Sequence, residues 1–393
     1  MIRDDLAAAL RSTLRTLEID PMPESIHLER PARREHGDWS SNVAMATAKK
    51  AGWNPRELAG RIAESLNADL PAHVASVEIA GPGFVNFRLH DSWLHEVLAE
   101  VVDAGVDGYA RPDIGSGESV QLEFVSANPT GPLHVGNGWW CAYGDALARV
   151  MDRCGYEIAR EYYVNDTGGQ VRQLGESLLA RRRGDEVPEG GYQGQYVAEL
   201  AEQYDGPDDV TEAGRFAAER ILVNIRETLE SIGIVFDEWY SQASIEESEA
   251  VHATVEQLRE SGLVFEKDGA TWLRTGDFGD PREERVLKKS AAEGGDYTYL
   301  AGDIAYHRDK LVVRGFDHVI DVWGADHHGQ VASLRAGVAA LGVDPERLEI
   351  RLGQLISLTS GRIGKRLGNA VDFSDLIADI GPDATRFLSL TSS

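Results

Sequence analysis

The chain has little that could lock it, anchor it or hold a metal. Only two of its 393 residues are cysteine, Cys141 and Cys154. Both fall on one expected helix, where a spacing of 13 residues separates them by roughly 20 Å. A disulfide needs Cα atoms within about 7 Å, so a bridge between them is excluded and the cytoplasm is the expected compartment. No run of about eighteen apolar residues occurs, so no transmembrane helix is expected. The opening M-I-R-D-D-L-A-A-A-L puts acids ahead of its apolar part and is no secretory signal. Neither C-x-x-C nor H-E-x-x-H is present, and no structural metal is expected. Positive charge is also short: 39 Lys and Arg stand against 65 Asp and Glu, a net charge of −26. That argues against a general nucleic-acid coat. A local basic patch on an acidic body can still dock one RNA.

The most informative stretch runs from Val120 to Gly155. An apolar, β-rich V-Q-L-E-F-V feeds the loop S-A-N-P-T-G-P-L-H-V-G-N-G, which opens the helix W-W-C-A-Y-G-D-A-L-A-R-V. In an open α/β sheet this places the loop at the carboxyl end of a strand, where ligands bind. A helix N-terminus there offers free N–H groups and a positive dipole end to an anion. His134 stands at its start and can donate to a phosphate. Neither G-x-G-x-x-G nor G-K-[ST] is present in the loop. Glu123 interrupts the apolar strand, and a buried carboxylate there is costly without a cation; the alternative is a strand with one exposed face.

Leucines 6, 10, 14 and 17 predict an opening amphipathic helix. Helices follow over 41–50 and from Asn54-Pro55 to Asn67, then strand, Gly-Pro-Gly turn and strand in V-A-S-V-E-I-A-G-P-G-F-V-N-F-R-L. With a linker helix near 92–104 these make an α+β domain over 1–110. An α/β, Rossmann-type domain is expected over 111–393, with a mostly helical insertion at 185–265 between its halves. In the second half D-H-V-I-D-V-W reads as a strand leading into the polar loop Gly324-Ala325-Asp326-His327-His328-Gly329. Two adjacent histidines point apart on regular backbone, so this loop is not read as a metal site. L-E-I-R-L-G-Q-L-I-S-L reads as a strand whose exit, T-S-G-R-I-G-K-R-L-G-N, is a Gly-flanked basic loop suited to phosphate.

The string from Glu123 to Gly136, E-F-V-S-A-N-P-T-G-P-L-H-V-G, resembles the H-I-G-H region of class I aminoacyl-tRNA synthetases, in its arginyl-tRNA synthetase version. H-G-D-W-S-S-N-V-A-M resembles that family's N-terminal additional domain, which touches the outer corner of the tRNA. R-I-G-K-R stands at the place of the K-M-S-K-S loop. The resemblance spans the chain and implies a class I synthetase fold. The implied activity is ATP-dependent activation of L-arginine to arginyl-adenylate and transfer to tRNA(Arg). ATP enters with Mg²⁺ as substrate.

On this resemblance His134 and Lys365 are the catalytic residues. His134, Gly136, Asn137, Gly324, Asp326, Arg362 and Lys365 would hold ATP. Glu123 and Asp303 would bind the guanidinium, Asn128 the substrate's α-groups, and Tyr299 would line the pocket, with Ser126 and Asp326 also on the arginine. For Asp303 the alternative is a helix N-cap. Asn137 replaces the family's second His and cannot carry charge. Arg362 replaces the first lysine of the basic loop, and Ile363 and Gly364 its Met and Ser. Arg30, Arg33, Arg34 and Arg181–Arg183 are either RNA contacts or solvated surface.

The family continues into an all-α anticodon-binding domain after this loop. The expectation is a monomer that stops short of that domain, with weakened tRNA binding. It is then a truncated synthetase, a stand-alone arginine-activating paralogue with another acceptor, or a binding or regulatory relic.

Overall fold

A computed structural model describes residues 2–247, 249–353 and 371–391. The chain divides into two compact units, Met1–Ala110 and Arg111–Ser393.

In the first unit the leucine spacing produces α1 (Ile2–Thr16), with Leu6, Leu10 and Leu14 fully buried. Trp39–Ser41 form a short strand, β1, so the expected second helix is confined to α2 (Val43–Ala48). Helix α3 (Pro55–Ala68) starts where the sequence says it should: Asn54 Oδ1 accepts from the N–H groups of Arg56 (2.9 Å) and Glu57 (3.3 Å), with proline at the first helical position. Strands β2 (Val74–Ala80) and β3 (Phe84–Leu89) form the expected hairpin, and β1 adds to β3 in the order β1-β3-β2. At Gly83 a Cβ would lie 2.9 Å from the Pro55 carbonyl oxygen, so the turn needs glycine to approach α3. Helix α4 (Ser92–Gly108) closes the unit and breaks at Gly105.

The second unit is built on a parallel sheet. Its strands are β4 (Ser119–Glu123), β5 (Glu157–Val164), β6 (Glu238–Ser241), β10 (His318–Gly324) and β11 (Leu348–Gly353), in the order β11-β10-β4-β5-β6. Helix α5 (Gly138–Arg153) crosses from β4 to β5, and α12 (His328–Ala340) from β10 to β11. The strand order reverses between β4 and β10. Their carboxyl ends flank the crevice where such sheets bind ligands.

Between β5 and β6 come α6 (Gly168–Arg183), α7 (Gln195–Gln203) and α8 (Val210–Ser231). Helices α6 and α8 touch backbone to backbone, since a Cβ on Gly175 would stand 2.1 Å from the Val210 carbonyl oxygen. Helix α7 is not merely surface: Val197 and Leu200 join the main core. The stretch 185–265, read as an insertion, also supplies β6, an edge strand of the main sheet. Then follow α9 (Gln242–Glu247), α10 (Ala250–Glu260) and an antiparallel sheet that sequence reasoning missed. Its strands are β7 (Val264–Lys267), β8 (Ala270–Arg274) and β9 (Glu284–Lys288). Helix α11 (Tyr299–Arg308) runs into a π-helical turn, Asp309–Val313, ahead of β10. Helices α13 (Phe373–Ile380) and α14 (Pro382–Thr391) close the described chain.

Both faces of the sheet are covered, and alternation along β4 explains the odd composition of that strand. Val120 and Leu122, with Phe124 just beyond, enter one core alongside Tyr162, Val164, Ile320 and Val322. Gln121 and Glu123 point to the other face. Gln121 is fully buried, and neither atom of its amide has a hydrogen-bond partner among the described residues.

Candidate active site

The loop after β4 leaves the sheet abruptly. Val125 (φ +69°) and Ser126 (φ +39°) lie in the left-handed region, strained for side-chain-bearing residues. The turn aims Ser126 back at the strand. Its Oγ donates to Glu123 Oε1 (3.0 Å) and accepts from the Tyr163 N–H (3.1 Å). Asn128 Nδ2 donates to Gln170 Oε1 on α6 (3.0 Å). His134, half-buried, precedes a 3₁₀ turn over Val135–Asn137 that opens directly into α5. Asn137 Oδ1 accepts the His134 N–H at 3.0 Å, so Asn137 caps this turn. Gly136 is buried within the turn.

Two contacts fix the start of α5. A Cβ on Gly138 would lie 2.9 Å from the Phe373 ring, and one on Gly144 would lie 2.2 Å from the Phe124 ring. The chain at 371–373 is paired to the His134 loop: Val135 N–H donates to Val371 O (3.0 Å), and Phe373 N–H to Leu133 O (2.8 Å). The described chain therefore resumes at Val371 beside His134. Arg362 and Lys365 themselves lie outside the described residues.

At the end of β10, Gly324 leads through a short 3₁₀ turn into α12. A Cβ on Gly324 would stand 2.4 Å from Asp326 Oδ1, which explains the glycine. The Asp326 side chain is largely exposed, and Trp323 and His327 meet edge to face at 5.9 Å.

Under the crevice lies the feature that sequence reasoning did not find. The parallel register sets Asp321 beside Glu123 and Glu123 beside Glu161, three carboxylates in a row across β10, β4 and β5. All three are buried. The cations that make this tolerable come from α11 and its π-helical turn. Lys310, fully buried, places Nζ 2.7 Å from Glu123 Oε2 and 2.9 Å from Asp321 Oδ1. Arg314 grips both oxygens of Glu161 and pairs with Asp309 (2.8 Å). The Tyr306 hydroxyl lies between Glu123 Oε2 (3.0 Å) and Glu161. His307 meets Asp321 Oδ2 through Nε2 and the Asp303 carbonyl oxygen through Nδ1, both at 2.7 Å.

The electrostatics follow from these contacts. Burial raises the Glu123 carboxyl above its ordinary value, against the pull of Lys310. Burial would raise Asp321 too, but Lys310 and His307 together hold it well below the carboxylate range. Glu161 is likewise held low by Arg314 and Lys310 despite its burial. Burial disfavours the Lys310 ammonium, yet Asp321 and Glu123 keep it charged.

Asp303 differs from its neighbours. It sits on α11 one turn after Tyr299, inside the helix, while Thr298 takes the N-cap; the N-cap alternative is thereby removed. No described residue hydrogen-bonds or pairs with its carboxyl, which burial pushes up to about 6. His307 on the same helix, Glu123, Asp321 and Tyr163 lie within its electrostatic reach, as does His327 of the loop after β10. Tyr299 is 84% exposed, on the same face of α11 as Asp303.

The burial of Glu123 thus has an internal account in Lys310. A sequence signal existed: Asp303, His307 and Lys310 recur at helical spacing, on one side of the helix. Of the candidate RNA-contacting arginines, Arg182 and Arg183 both pair with Asp208. Arg30 stacks over Trp39 at 4.8 Å. Among the described residues no helix is long and apolar enough to cross a membrane.

Two family models match: the arginyl tRNA synthetase N-terminal domain over residues 1–89, and the class I (R) tRNA synthetase catalytic domain over 195–388. The chain is 41% identical over 384 residues to an arginine–tRNA ligase from Caldanaerobacter subterraneus, covering 93% of this chain and 67% of the relative. The fold resembles the Thermus thermophilus arginyl-tRNA synthetase structure with a TM-score of 0.70 at 21% identity, over 99% of this chain and 74% of that one. It resembles the Plasmodium falciparum arginyl-tRNA synthetase structure with a TM-score of 0.66 at 14% identity, over 99% and 72%.

Proposed function

The chain belongs to the arginyl-tRNA synthetase family, whose function is arginine activation and tRNA charging, and on that premise we propose that the crevice between β4 and β10 carries out both steps. The observation that carries this reading is Asp303, a largely desolvated carboxyl near the switch point that no described lysine or arginine pairs with. A guanidinium matches it in charge and in fork geometry. Glu123 joins Asp303 at the guanidinium, and Ser126, Asn128, Tyr299 and Asp326 flank the amino acid.

ATP lies over the N-terminus of α5, where the backbone N–H groups and His134 meet its phosphates. Gly136 and Asn137 shape that turn, and Gly324 with Asp326 borders the adenosine. Arg362 and Lys365 approach the phosphates from the basic loop. The arginine carboxylate attacks the α-phosphorus, and the bond to the bridging oxygen breaks to release pyrophosphate. A hydroxyl of the tRNA 3′-terminal adenosine then attacks the adenylate carbonyl, and AMP leaves. No step needs a covalent enzyme intermediate, so catalysis rests on alignment and on charge stabilisation. Among the described residues no His, Cys, Asp or Glu group is arranged for a metal, and Mg²⁺ arrives on the ATP phosphates as part of the substrate.

The test is arginine-dependent ATP–pyrophosphate exchange, with and without tRNA(Arg). Exchange that requires tRNA supports the ligase. Exchange that ignores tRNA favours the paralogue with another acceptor. No exchange from folded protein in either case refutes the reading. His134→Ala and Lys365→Ala should each lower the rate on the order of a hundredfold.

A further inference from the structure

Asp145 is a buried carboxylate that the chemistry just described leaves unused. It lies on α5 seven residues after Gly138, and so on the same face of that helix. Two arginines share it. Arg149, one turn further on, reaches Asp145 Oδ2 at 2.7 Å and the Gly233 carbonyl oxygen at 2.6 Å. Arg386 comes from α14, pairs with the same Oδ2, and gives its other prong to the Ile232 carbonyl oxygen at 3.1 Å. Ile232 caps the C-terminus of α8, where helix carbonyls favour a cation. Arg386 thus ties α14 to α5 and to the end of α8 at once.

The same packing reaches the phosphate end of α5. A Cβ on Gly138 would lie 2.9 Å from the Phe373 ring and 2.9 Å from Ser389 Oγ. Ser389 stands three residues after Arg386, on the same face of α14. The first residue of α5 has no side chain with which to hold its own place. Its neighbours on α13 and α14 hold it, and Arg386 holds α14. A misplacement of about 1 Å at a reacting site can cost on the order of a hundredfold in rate.

We propose that Arg386, acting through Asp145, is a positioning residue of the ATP site. It clamps α14 along α5 and so fixes the N-terminal turn on which the phosphates lie. The inference rests on the reading of that turn as the phosphate site. Arg149 shares the carboxylate but does not reach α14, so it neutralises Asp145 without placing the turn.

The test is ATP–pyrophosphate exchange by the full chain with tRNA(Arg) present, and thermal melts to establish folding at the assay temperature. Arg386→Met strips both contacts while Arg149 still covers Asp145. It should lower kcat about tenfold or more and leave the KM for arginine within about twofold. Arg386→Lys keeps a charge for Asp145 but lacks the second prong, and its kcat should fall between the two. Arg149→Met should leave kcat within about twofold of wild type. A merely structural arginine would lower the melting temperature and leave kcat of the folded protein unchanged, and that result overturns the proposal. An equal loss in Arg149→Met overturns it too, because the effect would then belong to the neutralisation of Asp145. If Arg386→Met does not fold, Arg386→Lys decides: a lower kcat at unchanged KM for arginine supports the clamp, and a wild-type kcat overturns it. Wild-type protein without exchange refutes instead the reading of the crevice, and the clamp's role falls with it.

Discussion

Acidification should uncouple arginine from its site, and Asp303 sets where. Its carboxyl titrates at about 6 rather than the ordinary 3.8, because burial penalises the charge and Glu123 and Asp321 add to the penalty. A bound guanidinium favours the carboxylate, so binding requires its ionised form. At about pH 7.5 nearly all of it is ionised; at about pH 5 only about a tenth is. The apparent affinity for arginine should therefore fall about tenfold across that range.

Stability without ligand moves the opposite way. The folded carboxyl holds its proton more tightly than the unfolded one, so its contribution to stability falls as pH rises from about 4 to about 6. Holding the carboxyl at about 6 rather than 3.8 corresponds to a cost on the order of 3 kcal/mol once the group is ionised. Asp303→Asn removes both effects. The variant should melt higher than wild type at neutral pH, bind arginine poorly, and lose the affinity transition near pH 6. Calorimetric titrations and melts over this pH range measure all three. A flat affinity profile in the wild type, or an unchanged transition in Asp303→Asn, would refute the argument.

Gln121→Met should stabilise the protein by about 1–3 kcal/mol, because it removes a buried amide that has no partner among the described residues while keeping its volume; a lower melting temperature would contradict this. Gly175→Ala should destabilise by about 1–3 kcal/mol or more, since the new methyl meets the backbone of α8 at 2.1 Å. Denaturant titration reads that loss, and an unchanged midpoint would mean that α6 and α8 can part freely. Arg285→Met should cost about 3–5 kcal/mol, because it strips the two-pronged pair at 2.6 and 2.8 Å from the buried Asp280; a melt within a degree of wild type would count against it.

Local rules made much of the fold legible. The leucines of α1, the Asn54-Pro55 start of α3 and the Gly-Pro-Gly hairpin obey short-range chemistry, and each forms as expected. The strand–loop–helix around His134 was legible for the same reason. The β7-β8-β9 sheet was not, since its short strands lack strict alternation. Nor was the pairing of Leu133 and Val135 with residues 371–373, because register between distant segments leaves no local mark. Lys310 was hidden by a sound general expectation, that lysines face water. What overrides that expectation is a row of carboxylates that exists only after β4, β5 and β10 have aligned.

Synthesis order separates those carboxylates from their cations. Lys310 lies 187 residues beyond Glu123, and Arg314 lies 153 beyond Glu161. At about 5–20 residues per second, that is on the order of ten to forty seconds of elongation. Until β10 emerges, β4 is the open edge of a nascent half sheet, and an open edge is a template for pairing with a wrong chain. Inward-pointing charges blunt such edges, and Glu123 on β4 is a charge of that kind. Glu123 is thus placed to blunt the unfinished edge until Lys310, on the π-helical turn ahead of β10, is made and can neutralise it.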